Sequence, residues 1–270
     1  MYKVIRALLF GLFIATGAVY WLQLGGEQTI LLRNTLYLLF PLFSVVAGVF
    51  ALNQYGFQGK RTPLLLSLTF SMAGLLTGEI LFFLYEFVLH IDPFPSAADF
   101  FYLLAYPLLL HALIRELRQT PITWESIRPS IRFLLTVVSV AIATLVFYFG
   151  VYLAYDPQGT WFSNAIALSY GIGDLGLIVA DVSILVLAWE FRHGSFSSLW
   201  IRLFLSFISM LIADILFAMF TDQYLGEVWL YKSFIDTFFM LSYVLFADGL
   251  LHFGFTIANA RLRLKKVETR

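Results

Sequence analysis

The sequence predicts an all-α integral membrane protein of eight transmembrane helices, arranged as a parallel 4+4 internal repeat with both termini cytoplasmic. Three observations carry this. The 270 residues are 60% hydrophobic, 18% aromatic and 13% charged, whereas a soluble domain is about half apolar and a quarter charged. The apolar residues fall into eight runs of the length, about 20 residues, that crosses a hydrocarbon core of about 30 Å. Of the 17 Lys and Arg, all but Arg33 and Lys232 fall on one side, in alternate connections, at the run ends that border them or at the termini, the bias that marks the cytoplasmic side. The absence of cysteine excludes disulfides, thiolate metal sites and cysteine redox chemistry.

The first run, 4–23, follows a basic start, Met1 to Arg6, as a signal peptide would. It is too long for one and no small-x-small cleavage site follows, so it reads as a helix. Runs 34–53 and 63–90 flank a connection holding Lys60 and Arg61, and run 98–115 opens on Pro95-Ser96-Ala97-Ala98-Asp99. The connection from Glu116 to Pro129 is the longest. Runs 130–154, 162–191 and 199–220 follow, and the eighth, 228–257, continues from Asn259 to Arg270 as a basic extension suited to an anionic leaflet. No Ser/Gly-rich linker or charge block divides the chain, so 1–270 is one membrane domain. Within it, 1–118 and 128–260 are the two four-helix repeats and 261–270 is a basic cytoplasmic tail.

The repeat is read from aligned polar residues. Ala98 to Tyr106 lies over Ile235 to Tyr243, which matches Asp99 to Asp236, Phe101 to Phe238, Leu104 to Leu241 and Tyr106 to Tyr243. Gly78-Glu79-Ile80-Leu81-Phe82 lies over Ala213-Asp214-Ile215-Leu216-Phe217, Ser71 over Ser206, Ile5 to Leu9 over Ile131 to Leu135, and Asn34 to Leu42 over Asn164 to Ile172. The offset grows along the chain, as it does when only connections gain length. Two halves of four spans each start on the same side, so their pseudo-two-fold axis runs along the membrane normal.

Charged side chains inside a bilayer cost about 2.5–3.5 kcal/mol on insertion scales, and so face the protein interior and mark function. Counting along the helices places Glu79, Glu86, Asp99, Asp174, Asp214 and Asp236 in the outer half, with no Lys or Arg deep in any span to pair with them. Such acids must be protonated, hydrogen-bonded, hydrated or bound to a cation. The expected ligand-binding set is Glu79, Asp99, Tyr102, Tyr106, Tyr170, Asp174, Asp214, Asp236 and Tyr243, lining one outward-facing cavity. Asp99 has a second reading as a helix cap. Crowded carboxylates suit a cationic or amine-bearing ligand, and a divalent cation on Glu79, Asp174 and Asp214 is a candidate cofactor. A secondary inner set comprises His111, Asp181, Asp248, His252 and Glu190. Asp248 and His252, four apart, share a face and suit a carboxylate-oriented imidazole, a metal pair or a proton relay; the alternative is an amphipathic helix end at the interface. Gly171-Ile172-Gly173-Asp174-Leu175-Gly176 sits inside a span, not after a strand, so it is not a dinucleotide fingerprint; its glycines loosen the helix or admit a close neighbour. No deep lysine is available for a retinal Schiff base.

Pro95-Ser96-Ala97-Ala98-Asp99 with Tyr102, Tyr106, Pro107 and Leu108, followed by Tyr170-Gly171-Ile172-Gly173-Asp174-Leu175 and Ala213-Asp214-Ile215-Leu216-Phe217, resembles the multi-span sensor regions N-terminal to bacterial GGDEF and EAL diguanylate cyclases and phosphodiesterases. Gly171 stands where those regions carry proline. The resemblance covers helices 3 to 8 and implies a sensory or ligand-responsive membrane module. No output domain follows Ile257 in this sequence, so the expected route of signalling is a separate cytoplasmic protein. The expected partners are the lipid bilayer, a small or cationic ligand from the outer side and that signalling protein, with no nucleic acid. Two other function classes stand beside the sensor: a proton- or cation-coupled transporter, because duplicated halves with midplane acids suit alternating access, and a membrane-embedded hydrolase built on Asp248 and His252.

Overall fold

The computed structural model describes residues 1–24, 30–119, 125, 127–190, 197–226 and 228–268, the side chains of 119, 187–190 and 265–268 excepted. Among these residues the chain is helical throughout and contains eight helices long and apolar enough to cross a membrane. We number them α1 (Tyr2–Trp21), α2 (Ile30–Tyr37 and Leu39–Tyr55), α3 (Thr62–Phe83, extended by Leu84–Leu89), α4 (Ala97–Gln119), α5 (Pro129–Val146, extended by Phe147–Tyr152), α6 (Trp161–Glu190), α7 (Ser197–Met219) and α8 (Trp229–Glu268). Tyr2 packs beside His252 and Trp21 beside Trp229, so α1 and α8 run antiparallel and the start of α1 and the end of α8 lie at one end of the bundle. That end is called proximal and the opposite end distal.

Local chemistry explains the irregularities. Pro41 has no N–H to give the carbonyl of Tyr37, and α2 is interrupted one turn before it, at Leu38. The distal ends of α3 and α5 widen into π-helical turns over Leu84–Leu89 and Phe147–Tyr152, a geometry that rotates side chains out of the 3.6-residue register and is frequent at functional sites. At the start of α4 the Ser96 hydroxyl accepts from the N–H of Ala98 at 3.1 Å, while Asp99 Oδ2 accepts from the N–H of Ser96 at 2.7 Å. This reciprocal arrangement is a capping box and satisfies two otherwise orphaned donors.

The core is organised on α8, which packs against α2 on one side and α7 on the other, with α1 at its edge. Met240, Val244, Phe246, Ala247 and Leu250 are fully buried there. Serines secure both flanks by bonding α8 carbonyls at 2.8 Å: Ser44 of α2 to Tyr243, and Ser206 and Ser209 of α7 to Ser242 and Phe238. Such side-chain bonds supply part of the helix association that lipid cannot drive hydrophobically. α3 pairs with α4, α4 leans on α6, and α6 lies between α5 and α7. The glycines of α6 permit these approaches: a Cβ on Gly171 would stand 2.4 Å from the carbonyl oxygen of Gly150, and one on Gly173 would stand 2.6 Å from the ring of Tyr106. Helices α1 and α5 are peripheral and present apolar outer faces, including Leu8, Ile14, Phe133 and Val140, as lipid-facing helices do.

Charge pairs close the proximal end. Arg61 lies 2.8 Å from the buried carboxylate of Glu116. Asp248, also buried, is met by Arg202 Nε at 2.5 Å, by Arg6 at 3.4 Å and by the Tyr2 hydroxyl at 2.8 Å.

Candidate functional site

The distal half gathers the predicted acids into four hydrogen-bonded groups rather than around one open cavity. In the first, Glu79 of α3 accepts at Oε1 from the hydroxyls of Tyr37 (α2) and Tyr243 (α8), each at 2.9 Å, with Tyr102 of α4 close to the same carboxyl. The Tyr37 and Tyr243 rings meet edge to face at 6.3 Å. One carboxyl thereby ties together α2, α3 and α8.

In the second group the Tyr106 hydroxyl donates to Asp174 Oδ1 at 2.9 Å, and the carboxyls of Asp174 (α6) and Asp214 (α7) face each other. In the third, Tyr170 of α6 donates to Asp99 Oδ1 at 2.7 Å while Asp99 completes its capping box. Asp99 therefore takes the helix-cap reading and, through Tyr170, also holds α6. In the fourth, Asp236 of α8 accepts from Tyr224 at 2.7 Å. Tyr224 lies in a one-turn helix, Thr221–Leu225, between α7 and α8. Burial first, and the Asp236 carboxylate second, push its hydroxyl well above the ordinary phenol range.

The first and fourth groups border a pocket whose wall includes Asn34, Tyr37, Glu79, Glu86, Tyr224 and Asp236. Its free volume, about 20 Å³, has room for a single water. Of the nine predicted ligand-binding residues, Glu79 and Asp236 line it. Asp99, Tyr102, Tyr106, Tyr170, Asp174, Asp214 and Tyr243 are not on its wall.

Sequence reasoning missed Tyr37, Tyr224 and the role of Lys232. The expectation that no cation pairs with the acids is corrected here. Lys232, at the start of α8, is 4% exposed; its Nζ lies 3.2 Å from Glu86 Oε1, 5.0 Å from the Tyr224 ring centroid and 5.4 Å from that of Phe87. Glu86 sits in the π-helical turn of α3, so its partner could not be found by counting 3.6 residues per turn. The signal that was available is the lysine itself, since it is one of only two basic residues assigned to that side.

At the proximal end Asp248 is occupied by Arg202, Arg6 and Tyr2. His252 packs its ring edge to face on Tyr2 at 5.3 Å and its buried Nδ1 makes no hydrogen bond, so the carboxylate-oriented imidazole does not form. His111, on an exposed position of α4, bonds the Ser67 hydroxyl through Nδ1 at 2.8 Å. Asp181 is buried on α6 with neither carboxyl oxygen hydrogen-bonded. The side chain of Glu190 lies outside the described residues. Among those residues no three His, Asp or Glu converge as metal ligands: Glu79 is taken up by tyrosines, and Asp174 and Asp214 by each other. Comparison with protein-family models, curated proteins and solved structures gives no match.

Proposed function

We propose that the chain is a membrane-embedded sensor or ligand-binding module of the cell membrane. It takes a small cationic ligand at the distal pocket from the outer side and signals through a separate cytoplasmic protein. The carrying observation is the position of Glu79, which lines the pocket and at the same time bonds helices α2 and α8 through tyrosine hydroxyls. A cation drawn to Glu79 competes for the same oxygens. It therefore favours whichever packing of α8 against α2 leaves them available, which is the differential affinity a ligand-driven switch requires. The resemblance to sensor regions of diguanylate cyclases and phosphodiesterases supports the same reading, and the basic connections at the proximal end support cytoplasmic termini.

The duplication belongs to this proposal, and the helix contacts support it. Under the sequence alignment α2 on α8 corresponds to α6 on α4, and both pairs pack together. Ser67 bonding His111 corresponds to Arg202 bonding Asp248. Gly74, whose Cβ would stand 3.1 Å from the carbonyl oxygen of Phe101, corresponds to Ser209 bonding that of Phe238. The α3–α4 and α7–α8 pairs thus share one register, as two copies of a unit do.

Proton- or cation-coupled transport is the second reading. It is favoured by the facing carboxyls of Asp174 and Asp214, with Asp181, whose carboxyl makes no hydrogen bond, two turns farther along α6. The hydrolase reading loses its best argument, because Asp248 does not orient His252. Titration calorimetry of methylammonium, propylammonium, Mg²⁺ and Ca²⁺ into the chain in nanodiscs tests the proposal. Saturable binding that Glu79→Gln weakens at least ~10-fold, about 1.4 kcal/mol, supports it. Heats identical in the two proteins for every cation overturn it.

A further inference from the structure

An ammonium group stands against three residues of the distal pocket's wall. Lys232 Nζ stands 3.2 Å from Glu86 Oε1 with the faces of Tyr224 and Phe87 at 5.0 and 5.4 Å. A carboxylate set beside aromatic faces is the arrangement that recognises organic ammonium ions. Glu86, Phe87 and Tyr224 all lie on the pocket wall, and Glu79 and Asp236 contribute two further acids to it. A buried lysine at this point is costly unless the site is built for its charge. Its long stem also allows the head to leave while the backbone of α8 stays in place.

We propose that this cage is a binding site for primary alkylammonium groups and that Lys232 is its tethered occupant, displaced when a free amine enters. The inference rests on the sensing reading and adds the ligand class and the regulation to it. The lysine head sets the threshold, because a tethered ammonium competes at a high effective concentration and a free amine must outcompete it. Departure of the head joins its volume to the pocket, making room for more than the single water it holds otherwise. It also releases the start of α8 from the π-helical end of α3, in the element that Glu79 ties to α2.

Chemical rescue tests this directly. Lys232→Ala removes the atoms of a propylammonium ion, so propylammonium should restore them. The full chain carrying Lys232→Ala in nanodiscs should gain at least ~3 °C in Tm on saturation with propylammonium and nothing from 1-propanol. The gain should vanish in Lys232→Ala/Glu86→Gln, and propylammonium should bind wild type at least ~10-fold more weakly than it binds Lys232→Ala. If Lys232→Ala does not fold alone, its recovery as folded protein only when propylammonium is present during purification supports the proposal. No gain in Tm or recovery overturns it. The two readings fail separately. Rescue of Lys232→Ala with a wild type blind to every amine leaves the cage standing and removes the sensing role. Wild-type amine binding without rescue keeps the sensing role and removes Lys232 from it.

Discussion

Tyr243 of α8 donates its hydroxyl to Glu79 Oε1 of α3 at 2.9 Å, across 164 residues of chain, and Tyr37 of α2 donates to the same oxygen. The carboxyl is the acceptor on which three helices depend. Glu79→Leu leaves the tyrosine hydroxyls without it and is expected to cost about 3 kcal/mol or more, whereas Glu79→Gln keeps a carbonyl acceptor and costs about 1 kcal/mol. Unfolding in mixed micelles checks the order; equal losses would mean that the hydrogen bonds contribute nothing.

Arg202 and Asp248 should be coupled, and Asp248 and His252 should not. A double-mutant cycle with Arg202→Met and Asp248→Asn is expected to give a coupling of about 2 kcal/mol or more, since breaking either side strands a buried partner. The cycle pairing Asp248→Asn with His252→Ala should stay below about 0.5 kcal/mol. The reverse ranking would restore the carboxylate-oriented imidazole.

Tyr224 gives a pH signature. Its hydroxyl is held above the usual phenol value of 10.0 by burial and then by Asp236. The folded chain therefore retains a proton that the unfolded chain releases as pH rises past that value. Stability is complete below pH 10 and falls above it by about 1.4 kcal/mol per pH unit for this group. Tyr224→Phe should unfold with a shallower alkaline slope than wild type; coincident slopes would show that Tyr224 ionises freely in the fold.

The two ends of the bundle should label from opposite sides of the membrane. Phe57→Cys and Gln158→Cys introduce single thiols at exposed positions at the proximal and distal ends. In intact cells an impermeant maleimide should modify Gln158→Cys alone, and modification of Phe57→Cys alone would invert the orientation.

The eight apolar helices were legible because an apolar run of membrane length has one economical structure; α8 runs on to Glu268 as its expected basic extension does, and the helices differ from the read runs mainly at other ends, α4 running on to Gln119. That Asp174, Asp214 and Glu79 turn inward was legible too, from the cost of exposing a carboxyl to lipid. Their partners were not. Tyr37 reaches Glu79 because Pro41 breaks α2 one turn later, and Glu86 reaches Lys232 from a π-helical turn, so both depend on departures from ideal periodicity that residue counting does not register. Asp248 and His252 share a helix face as their spacing requires, yet the carboxylate goes to Arg202 of α7, a choice made by tertiary packing alone.

The central claim, that a cation at the distal pocket changes how α8 packs against α2 and α3, is tested most directly by a distance. Spin labels at Phe57→Cys, in the connection between α2 and α3, and at Leu262→Cys, on the proximal extension of α8, both occupy exposed positions. Pulsed electron resonance in nanodiscs should show one distance distribution without amine and a shifted one on saturation with propylammonium, with the shift absent in Glu79→Gln. A distribution unchanged at saturating, calorimetrically verified occupancy would contradict the account.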